Sequence, residues 1–222
     1  MRKIIVGAQV SLDGVMQAPG GPTEDPTQGF QFGGWAMPYG CPEFGEEIEY
    51  LFQSFDLLLG RKTYEIFAGY WPYYDEASED GGIARVLNGV KKYVVSRSGE
   101  VDTGWADSVL LRDIADVKRL KQEDGPNLLT QGSTELIHAL LAEDLVDTIS
   151  LFMVPAVLGG GKKLFADGSA PHSFRLSRSR VAPNGLIVGH YEREGGIKTD
   201  DASLDSPSER EMARRERMKR EG

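Results

Sequence analysis

The sequence Leu57-Leu-Leu-Gly-Arg-Lys-Thr-Tyr-Glu-Ile-Phe67 predicts a buried strand, a turn and a helix in direct succession. Three consecutive leucines are typical of a strand that is covered on both faces, as in parallel sheets. Gly60 lets the chain turn, and Arg61, Lys62 and Thr63 then open the helix. Two cations, a hydroxyl and the free N–H groups of a helix N-terminus favour a phosphate. A basic first turn on an ordinary helix is the alternative interpretation.

The composition is that of a soluble globular protein and narrows the choice of partners. The 222 residues suffice for one sizeable domain or two small ones. A net charge of −9 argues against general nucleic-acid binding. The single cysteine excludes an intramolecular disulfide, and the three histidines lack metal-binding spacing. Since we find neither a secretory signal nor a membrane-spanning run, we expect a cytoplasmic protein without membrane or metal partners.

Further along the chain, apolar runs alternate with helical patterns. We predict strands over residues 3–10, 91–96, 108–111, 127–130, 146–154, 173–182 and 186–194, and helices over 43–54, 83–89, 114–123 and 133–141. Asn184-Gly185 is a strong hairpin signal, so the last two strands should be antiparallel. This order predicts an α/β fold with a mostly parallel sheet and an antiparallel C-terminal hairpin.

Residues 17–42 form a long predicted loop that contains five prolines, six glycines and no lysine or arginine. Loops of this length in a compact domain are usually functional or mobile. Its aromatic residues are Phe30, Phe32, Trp35 and Tyr39. They could cover a flat ligand or anchor the loop to the core, and the sequence leaves both alternatives open. A second loop is predicted over residues 70–82.

The C-terminal residues 195–222 differ in composition from the rest of the chain. They contain seven basic and seven acidic residues and few large apolar ones. This pattern predicts a tail that is disordered or forms a solvated helix. We therefore expect one folded domain over residues 1–194, followed by this tail.

Three predicted strands end in similar residues: Gly60-Arg61-Lys62-Thr63, Ser96-Arg97-Ser98 and Gly132-Ser133-Thr134. In an open α/β sheet, ligands bind outside the carboxyl ends of the strands. If the three strands are parallel neighbours, their turns share one edge and suit several phosphates. A dinucleotide with an extra phosphate on its ribose fits best, because arginine beside a hydroxyl commonly holds a 2′-phosphate.

Other nucleotide and catalytic motifs fail in detail. The run Gly159-Gly160-Gly161-Lys162 lacks the spacing of a P-loop, and no Gly-x-Gly-x-x-Gly follows the first strand. We find no Gly-x-Ser-x-Gly elbow and no credible Ser-His-Asp set. The histidines are interpreted as surface or packing residues.

These segments together resemble the dihydrofolate reductase fold, and in particular the reductase domain at the C-terminus of bifunctional riboflavin-biosynthesis proteins. The matching segments are Ser11-Leu12-Asp13-Gly14, Leu59-Gly60-Arg61-Lys62-Thr63-Tyr64-Glu65, Val95-Ser96-Arg97, Gly132-Ser133-Thr134-Glu135-Leu136, Leu145-Val146-Asp147 and Pro155-Ala156-Val157-Leu158-Gly159-Gly160-Gly161. The last segment, running on to Leu164-Phe165, is the most specific. The resemblance covers about residues 1–194 and implies a three-layer α-β-α arrangement.

The resemblance implies an NADPH-dependent reductase and a set of cofactor contacts. Gly60, Arg61, Lys62 and Thr63 would hold the pyrophosphate, and Ser96 and Arg97 the adenosine 2′-phosphate. The pyrophosphate would be met from the opposite side by Gly132, Ser133, Thr134, Glu135 and Leu136. The nicotinamide would lie near Ala8 and residues 11–15. A homodimer is also expected from the family.

The reaction implied is hydride transfer to a C=N or C=O bond of a small planar, pterin- or pyrimidine-like substrate. Candidate catalytic carboxylates are Asp13, Glu46 and Glu47, and spacing does not choose among them. The ribose phosphate of a riboflavin precursor would need a basic subsite, which the 17–42 loop lacks. The alternatives are a non-catalytic NADP(H)-binding protein on the same scaffold and a nucleotide-binding subunit whose tail recruits a partner.

Overall fold

An eight-stranded sheet forms the centre of the computed structural model, which describes residues 1–78, 81–165, 167–203 and 205–221. The strands are β1 (Ile4–Ser11), β2 (Phe55–Gly60), β3 (Lys92–Val95), β4 (Ser108–Leu111), β5 (Asn127–Thr130), β6 (Thr148–Val154), β7 (Ser173–Val181) and β8 (Ile187–Gly195). The α-helices are α1 (Pro42–Leu51), α2 (Arg61–Ala68), α3 (Gly81–Gly89), α4 (Ile114–Gln122), α5 (Thr134–Ala142) and α6 (Glu209–Glu221).

The strand order is β4-β3-β2-β5-β1-β6-β8-β7. The first six strands in this order pair in parallel, whereas β8 pairs antiparallel with both β6 and β7. The predicted α/β class, with its mostly parallel sheet and antiparallel C-terminal hairpin, is confirmed. The carboxyl ends of the parallel strands share one side of the sheet, which we call the carboxyl edge.

Helices cover both faces of the sheet, because successive side chains of each strand point in opposite directions. Ile4, Val6 and Ala8 of β1 pack in the cluster that contains α4 and α5. Leu57 and Leu59 of β2 pack in the opposite cluster, with side chains of α1, α2 and α3. This is the predicted three-layer arrangement.

The three consecutive leucines of β2, residues 57–59, are each fully buried. Leu58 faces the α4–α5 layer, and its two neighbours face the other layer. Burial of one leucine side chain contributes about 1.5–3 kcal/mol. The strand is therefore apolar throughout because both of its faces are covered.

Most differences from the predicted elements are shifts at their ends. The helix predicted over residues 43–54 ends at Leu51, because β2 already begins at Phe55. Short 3₁₀ turns interrupt the predicted loops at Thr27–Gly29, Met37–Tyr39 and Trp71–Tyr73. Residues 79 and 80 of the predicted 70–82 loop lie outside the described residues.

The tail contains α6, and none of the described side chains of this helix is buried. Its ion pairs join neighbouring turns of the same helix, for example Arg214 and Arg215 with Glu211. Residues 204 and 222 of the tail lie outside the described residues. In the described part of the chain, none of the helices combines the length and apolar character that crossing a membrane requires.

Two glycines bring the ends of β2 and β5 into direct contact at the carboxyl edge. The amide of Gly60 donates a hydrogen bond to the carbonyl oxygen of Gly132 over 3.2 Å. A Cβ on Gly60 would overlap the hydroxyl oxygen of Ser133. A Cβ on Gly132, whose φ is +146°, would lie 2.6 Å from Thr63 Oγ1. The two strand ends can approach this closely only because neither glycine has a side chain.

We predict that Gly60→Ala lowers the free energy of unfolding by about 1–3 kcal/mol, as overpacking does elsewhere. The double variant Gly60→Ala/Ser133→Gly should recover part of this loss, because it removes the overlapping hydroxymethyl group. Urea denaturation of the single and double variants measures both effects.

Gly45→Ala in α1 is the matched control, since a Cβ there would meet nothing within 4 Å. That substitution should raise the free energy of unfolding by about 0.5–1 kcal/mol. A Gly60→Ala variant as stable as the parent chain would contradict the close contact.

Candidate functional site

The three turns singled out in the sequence lie side by side at the carboxyl edge. They follow β3, β2 and β5, which are adjacent in the sheet and run parallel. The geometric condition for a shared site is therefore confirmed. Ala8, in the neighbouring β1, is 3% exposed and packs against the α4–α5 layer. The roles assigned to these residues stay predictions.

The N-terminus of α2 lacks a side-chain cap. Gly60 is the N-cap residue, and within the described chain no side chain bonds to the first-turn amides. Helix α4 differs, because the carboxylate of Asp113 accepts a hydrogen bond from the amide of Asp116. The first N–H groups of a helix have no partner inside the helix. Those of α2 are thus available to an anion outside it.

The side chains of the first turn of α2 have three different environments. Arg61 is about half exposed and donates to both oxygens of Glu65, at 2.8 and 3.0 Å. Lys62 is exposed and forms no ion pair within the described residues. Thr63 packs its hydroxyl against Gly132 of the neighbouring turn. Because an exposed i,i+4 ion pair is worth only about 0.3–0.5 kcal/mol, Arg61 can exchange Glu65 for a phosphate at little cost.

Helix α5 has the same open N-terminus. Ser133 is the N-cap residue, but its side chain makes no capping hydrogen bond within the described chain. Thr134 and Leu136 are buried, and Leu136 belongs to the hydrophobic core. Glu135 is exposed in the first turn, where its charge would repel a phosphate. Residues 132–136 therefore offer backbone N–H groups more than side chains.

The turn after β3 combines hydroxyl groups with an unpaired arginine. Ser96 is 4% exposed, and its hydroxyl oxygen lies 3.3 Å from that of Ser98. Arg97 is exposed and forms no ion pair with any described residue. This arrangement is the predicted partner of a 2′-phosphate.

A second arginine at this position was missed from the sequence. Arg112 directly follows β4, and its guanidinium lies so close to Gly99 that a Cβ there would overlap it. Within the described residues Arg112 forms no ion pair, although its amide donates to Asp116. The sequence contained one signal for Arg112. This residue follows a predicted strand, which should end at the same edge of the sheet as the strand before Arg97. Two unpaired guanidinium groups thus lie near the Ser96–Gly99 turn.

Asp13 stabilises the turn after β1. Its carboxylate accepts hydrogen bonds from the Ser11 hydroxyl at 2.6 Å and from the amides of Leu158 and Gly159 at 3.1 and 2.8 Å. These donors, led by the Ser11 hydroxyl, lower the pKa of Asp13 to about 2. The carboxylate is ionised at neutral pH, so it joins two loops and has no proton to donate.

Glu46 and Glu47 of α1 point towards β7. Glu46 forms an exposed ion pair with Arg180 over 2.7 Å. Glu47 is fully buried and accepts hydrogen bonds from Nε and Nη2 of Arg178, at 2.9 and 2.7 Å. These bonds, and then one from His190, lower the pKa of Glu47 below its ordinary value. Neither glutamate lies with the three turns.

His190 of β8 connects Glu47 of α1 to Ser150 of β6 through two hydrogen bonds. Its Nε2 lies 2.9 Å from the Glu47 carboxylate, which can only accept, and its Nδ1 lies 2.8 Å from Ser150 Oγ. The order serine, histidine, carboxylate is that of a catalytic triad. Ser150 and His190 are only 1% and 2% exposed, however, so a substrate cannot reach them. His190 is a packing residue, as interpreted from the sequence.

The other two histidines bond to backbone carbonyls. Nε2 of His138 lies 3.1 and 3.0 Å from the carbonyl oxygens of Lys163 and Leu164. Nε2 of His172 lies 3.2 Å from that of Leu141. Both are packing residues.

Buried polar contacts hold the 17–42 loop in place. Gln17 is 3% exposed, and its amide nitrogen donates to the carbonyl oxygens of Asp25 and Thr27 at 2.9 and 3.0 Å. Its side-chain carbonyl oxygen accepts a hydrogen bond from the backbone amide of Lys162 at 3.0 Å. The side chain of Lys162 forms an ion pair with Asp25 and donates to Thr27. The lysine after the triple glycine is therefore a loop anchor.

The aromatic residues of this loop divide between the two alternatives left open by the sequence. Trp35 is buried, and its indole N–H donates a hydrogen bond to the backbone carbonyl oxygen of Gln17 at 2.8 Å. Phe30 and Tyr39 pack against the core beside it. Phe32 is 54% exposed and meets Phe30 edge to face. Three aromatics anchor the loop, and one is accessible from outside.

A concavity of about 330 Å³ lies between this loop and the triple glycine. Its lining residues are Gln17, Gln28, Gly29, Phe30, Gln31, Phe32, Leu158, Gly159, Gly160 and Gly161. Another, of about 390 Å³, is lined by Ala68, Pro72, Tyr73, Asn88, Asp102, Gly104, Trp105 and Ala106. Neither is lined by the predicted cofactor residues, whose turns form an open edge.

Comparison with known proteins identifies relatives over most of the chain. A model of the RibD C-terminal domain family matches residues 2–188. The uncharacterized protein YyaP of Bacillus subtilis (strain 168) is 26% identical over 201 residues, covering 87% of this chain and 96% of YyaP.

Solved structures share the fold. A putative riboflavin biosynthesis protein from Shewanella sp. PV-4 matches with a TM-score of 0.58 and 22% identity, over 86% of this chain and 99% of that one. Dihydrofolate reductase from Enterococcus faecalis, complexed with NADP(H), matches with a TM-score of 0.57 and 10% identity, over 86% and 96%. At these identities the similarity demonstrates the fold alone.

We predict that Glu47→Gln lowers the free energy of unfolding by about 1.5–3 kcal/mol at neutral pH, because it removes buried charged hydrogen bonds. Since folding lowers the pKa of Glu47, its ionised form stabilises the protein above the unfolded pKa, and this contribution disappears as the pH falls. The difference between the parent chain and the variant should therefore shrink over the pH range below the ordinary glutamate pKa of about 4.3. Urea denaturation across this range measures it.

Glu46→Gln is the matched control, because its ion pair with Arg180 is exposed. It should cost less than about 1 kcal/mol. Equal losses of unfolding free energy in the two variants at neutral pH would contradict a stabilising role for the buried hydrogen bonds of Glu47.

Proposed function

Because this chain belongs to the RibD C-terminal domain family of reductases, with the dihydrofolate reductase fold, we propose that it is an NADPH-dependent reductase of a small planar substrate. The observation that carries the proposal is the pair of uncapped helix N-termini, α2 and α5, beside exposed cations. The bond reduced is C=N or C=O.

The contact between Gly60 and Gly132 supports a pyrophosphate site. It brings the open ends of α2 and α5 to adjacent positions, where their N–H groups and dipoles both favour an anion. Lys62 is free of ion pairs within the described residues and adds a positive charge. A phosphate-bearing cofactor therefore fits the donors that this edge provides.

The preference for NADPH over NADH rests on Arg97 and Arg112. Both guanidinium groups are exposed, lie by the turn that contains Ser96 and Ser98, and have no carboxylate partner within the described residues. Guanidinium groups bind phosphate through paired, charge-assisted hydrogen bonds. NADH has no 2′-phosphate for them to bind.

The residues of the chain position the cofactor and the substrate and contribute little acid–base chemistry. Bound NADPH would supply the hydride from its nicotinamide ring. Asp13, Ser11 and the amides of Leu158 and Gly159 hold the turn beside the expected nicotinamide position in one conformation. Because Asp13 is ionised at neutral pH, we assign delivery of the proton to water.

A non-catalytic NADP(H)-binding protein on the same scaffold is the second candidate function. It is favoured by the engagement of all three candidate carboxylates, since Asp13 bonds to loop donors and Glu46 and Glu47 pair with arginines. Substrate-dependent oxidation of NADPH separates the two functions. A chain that binds NADPH but oxidises it with no ring carbonyl or imine compound would be a binding protein.

We predict that Arg97→Ala and Arg112→Ala each weaken NADPH binding about tenfold or more, because each removes a charged hydrogen bond worth about 1.5–3 kcal/mol. NADH affinity should stay unchanged. Titration calorimetry with both cofactors measures these affinities.

Arg217→Ala, which changes an exposed arginine of α6, is the control and should affect neither cofactor. Equal losses for NADPH and NADH in Arg97→Ala and Arg112→Ala would overturn the assignment of these arginines to the 2′-phosphate.

A further inference from the structure

The concavity between the 17–42 loop and the triple glycine lies next to the turn after β1. Gly161 approaches Val15 and Phe30 so closely that a Cβ on it would lie 2.7 and 2.9 Å from their side chains. Val15 also pairs with Lys163 in an isolated bridge. The resemblance places the nicotinamide near residues 11–15, so a ligand in this concavity would lie beside the cofactor's reactive end.

The lining of this concavity carries no charge. Its side chains come from glutamine, phenylalanine and leucine, and the rest is glycine backbone. The nearest cation along the chain is Lys162, whose ammonium group is paired with Asp25. The carboxylate of Asp13 contacts the lining at the amides of Leu158 and Gly159 and also accepts a hydrogen bond from the Ser11 hydroxyl. None of the residues that line the concavity carries a charged side chain.

The lining nevertheless offers hydrogen bonds and an aromatic surface. The amides of Gly160 and Gly161 and the side-chain amides of Gln28 and Gln31 have no partner within the described residues. Phe32 is accessible, and its ring is supported edge to face by Phe30 at 5.9 Å. Such an aromatic surface suits the face of a planar ring.

We infer that this concavity is the substrate subsite and that it takes an uncharged planar ring compound without a phosphate group. The inference rests on the proposed reductase function and specifies the substrate class. A phosphate would have to be desolvated without a cation to pair with, which is costly. The volume of about 330 Å³ is near the lower end for ligand pockets, about 300–1,000 Å³, and suits a ring system without a ribose phosphate.

Binding of matched probes tests the inference. Saturation-transfer NMR on the full chain with NADPH would compare lumazine, uridine and uridine 5′-monophosphate. We expect a ring probe without phosphate to bind, and Phe32→Ala to weaken its affinity at least about tenfold. Uridine 5′-monophosphate should bind no better than uridine.

Two further variants make the result specific. Phe165→Ala changes another exposed phenylalanine outside the concavity and should leave ring binding unchanged. Gln31→Arg adds a cation to the lining and should improve binding of uridine 5′-monophosphate over uridine about tenfold.

The inference is overturned if the phosphorylated probe binds the parent chain more tightly, if no probe binds, or if Phe32→Ala changes nothing. NADPH affinity is measured on the same samples, so failure of the subsite and failure of the proposed function are distinguishable. Normal NADPH binding without Phe32-dependent ring binding rejects the subsite alone. Absence of NADPH binding rejects the proposed function.

Discussion

The close contact between Gly60 and Gly132 is the constraint on which the candidate cofactor site depends. It joins the ends of two adjacent parallel strands, so the helices that follow begin next to each other on opposite faces of the sheet. A larger residue at either position would force the turns apart. The same contact that completes the fold at this edge therefore brings together two open helix N-termini.

Three cations of the carboxyl edge have no carboxylate partner within the described residues. Several arginines and lysines elsewhere in the chain are paired with carboxylates, as in the contact of Arg178 with the buried Glu47 and the loop contact of Lys162 with Asp25. Within the described residues, Lys62, Arg97 and Arg112 at the carboxyl edge are unpaired. In a chain of net charge −9, unpaired cations at one edge favour an anionic ligand there.

Local sequence was sufficient for the fold and for the positions of the three turns. The leucine run, the Asn184-Gly185 hairpin and the glycines at strand ends act over a few residues, and the structure bears them out. Contacts between distant residues could not be predicted in this way. The guanidinium of Arg112, after β4, lies against Gly99, after β3. Glu47 contacts His190, which is 143 residues away in the sequence. Phe30, Trp35 and Tyr39 could have covered a ligand, but they anchor the loop to the core. The position of Trp35 depends on its hydrogen bond to the buried Gln17.

A structure of the chain with bound NADPH would test the role of the glycine contact most directly. We expect pyrophosphate oxygens within about 2.7–3.2 Å of amide nitrogens at the starts of both α2 and α5. The 2′-phosphate should lie between Arg97 and Arg112. An ordered cofactor whose pyrophosphate contacts neither helix N-terminus would contradict this arrangement.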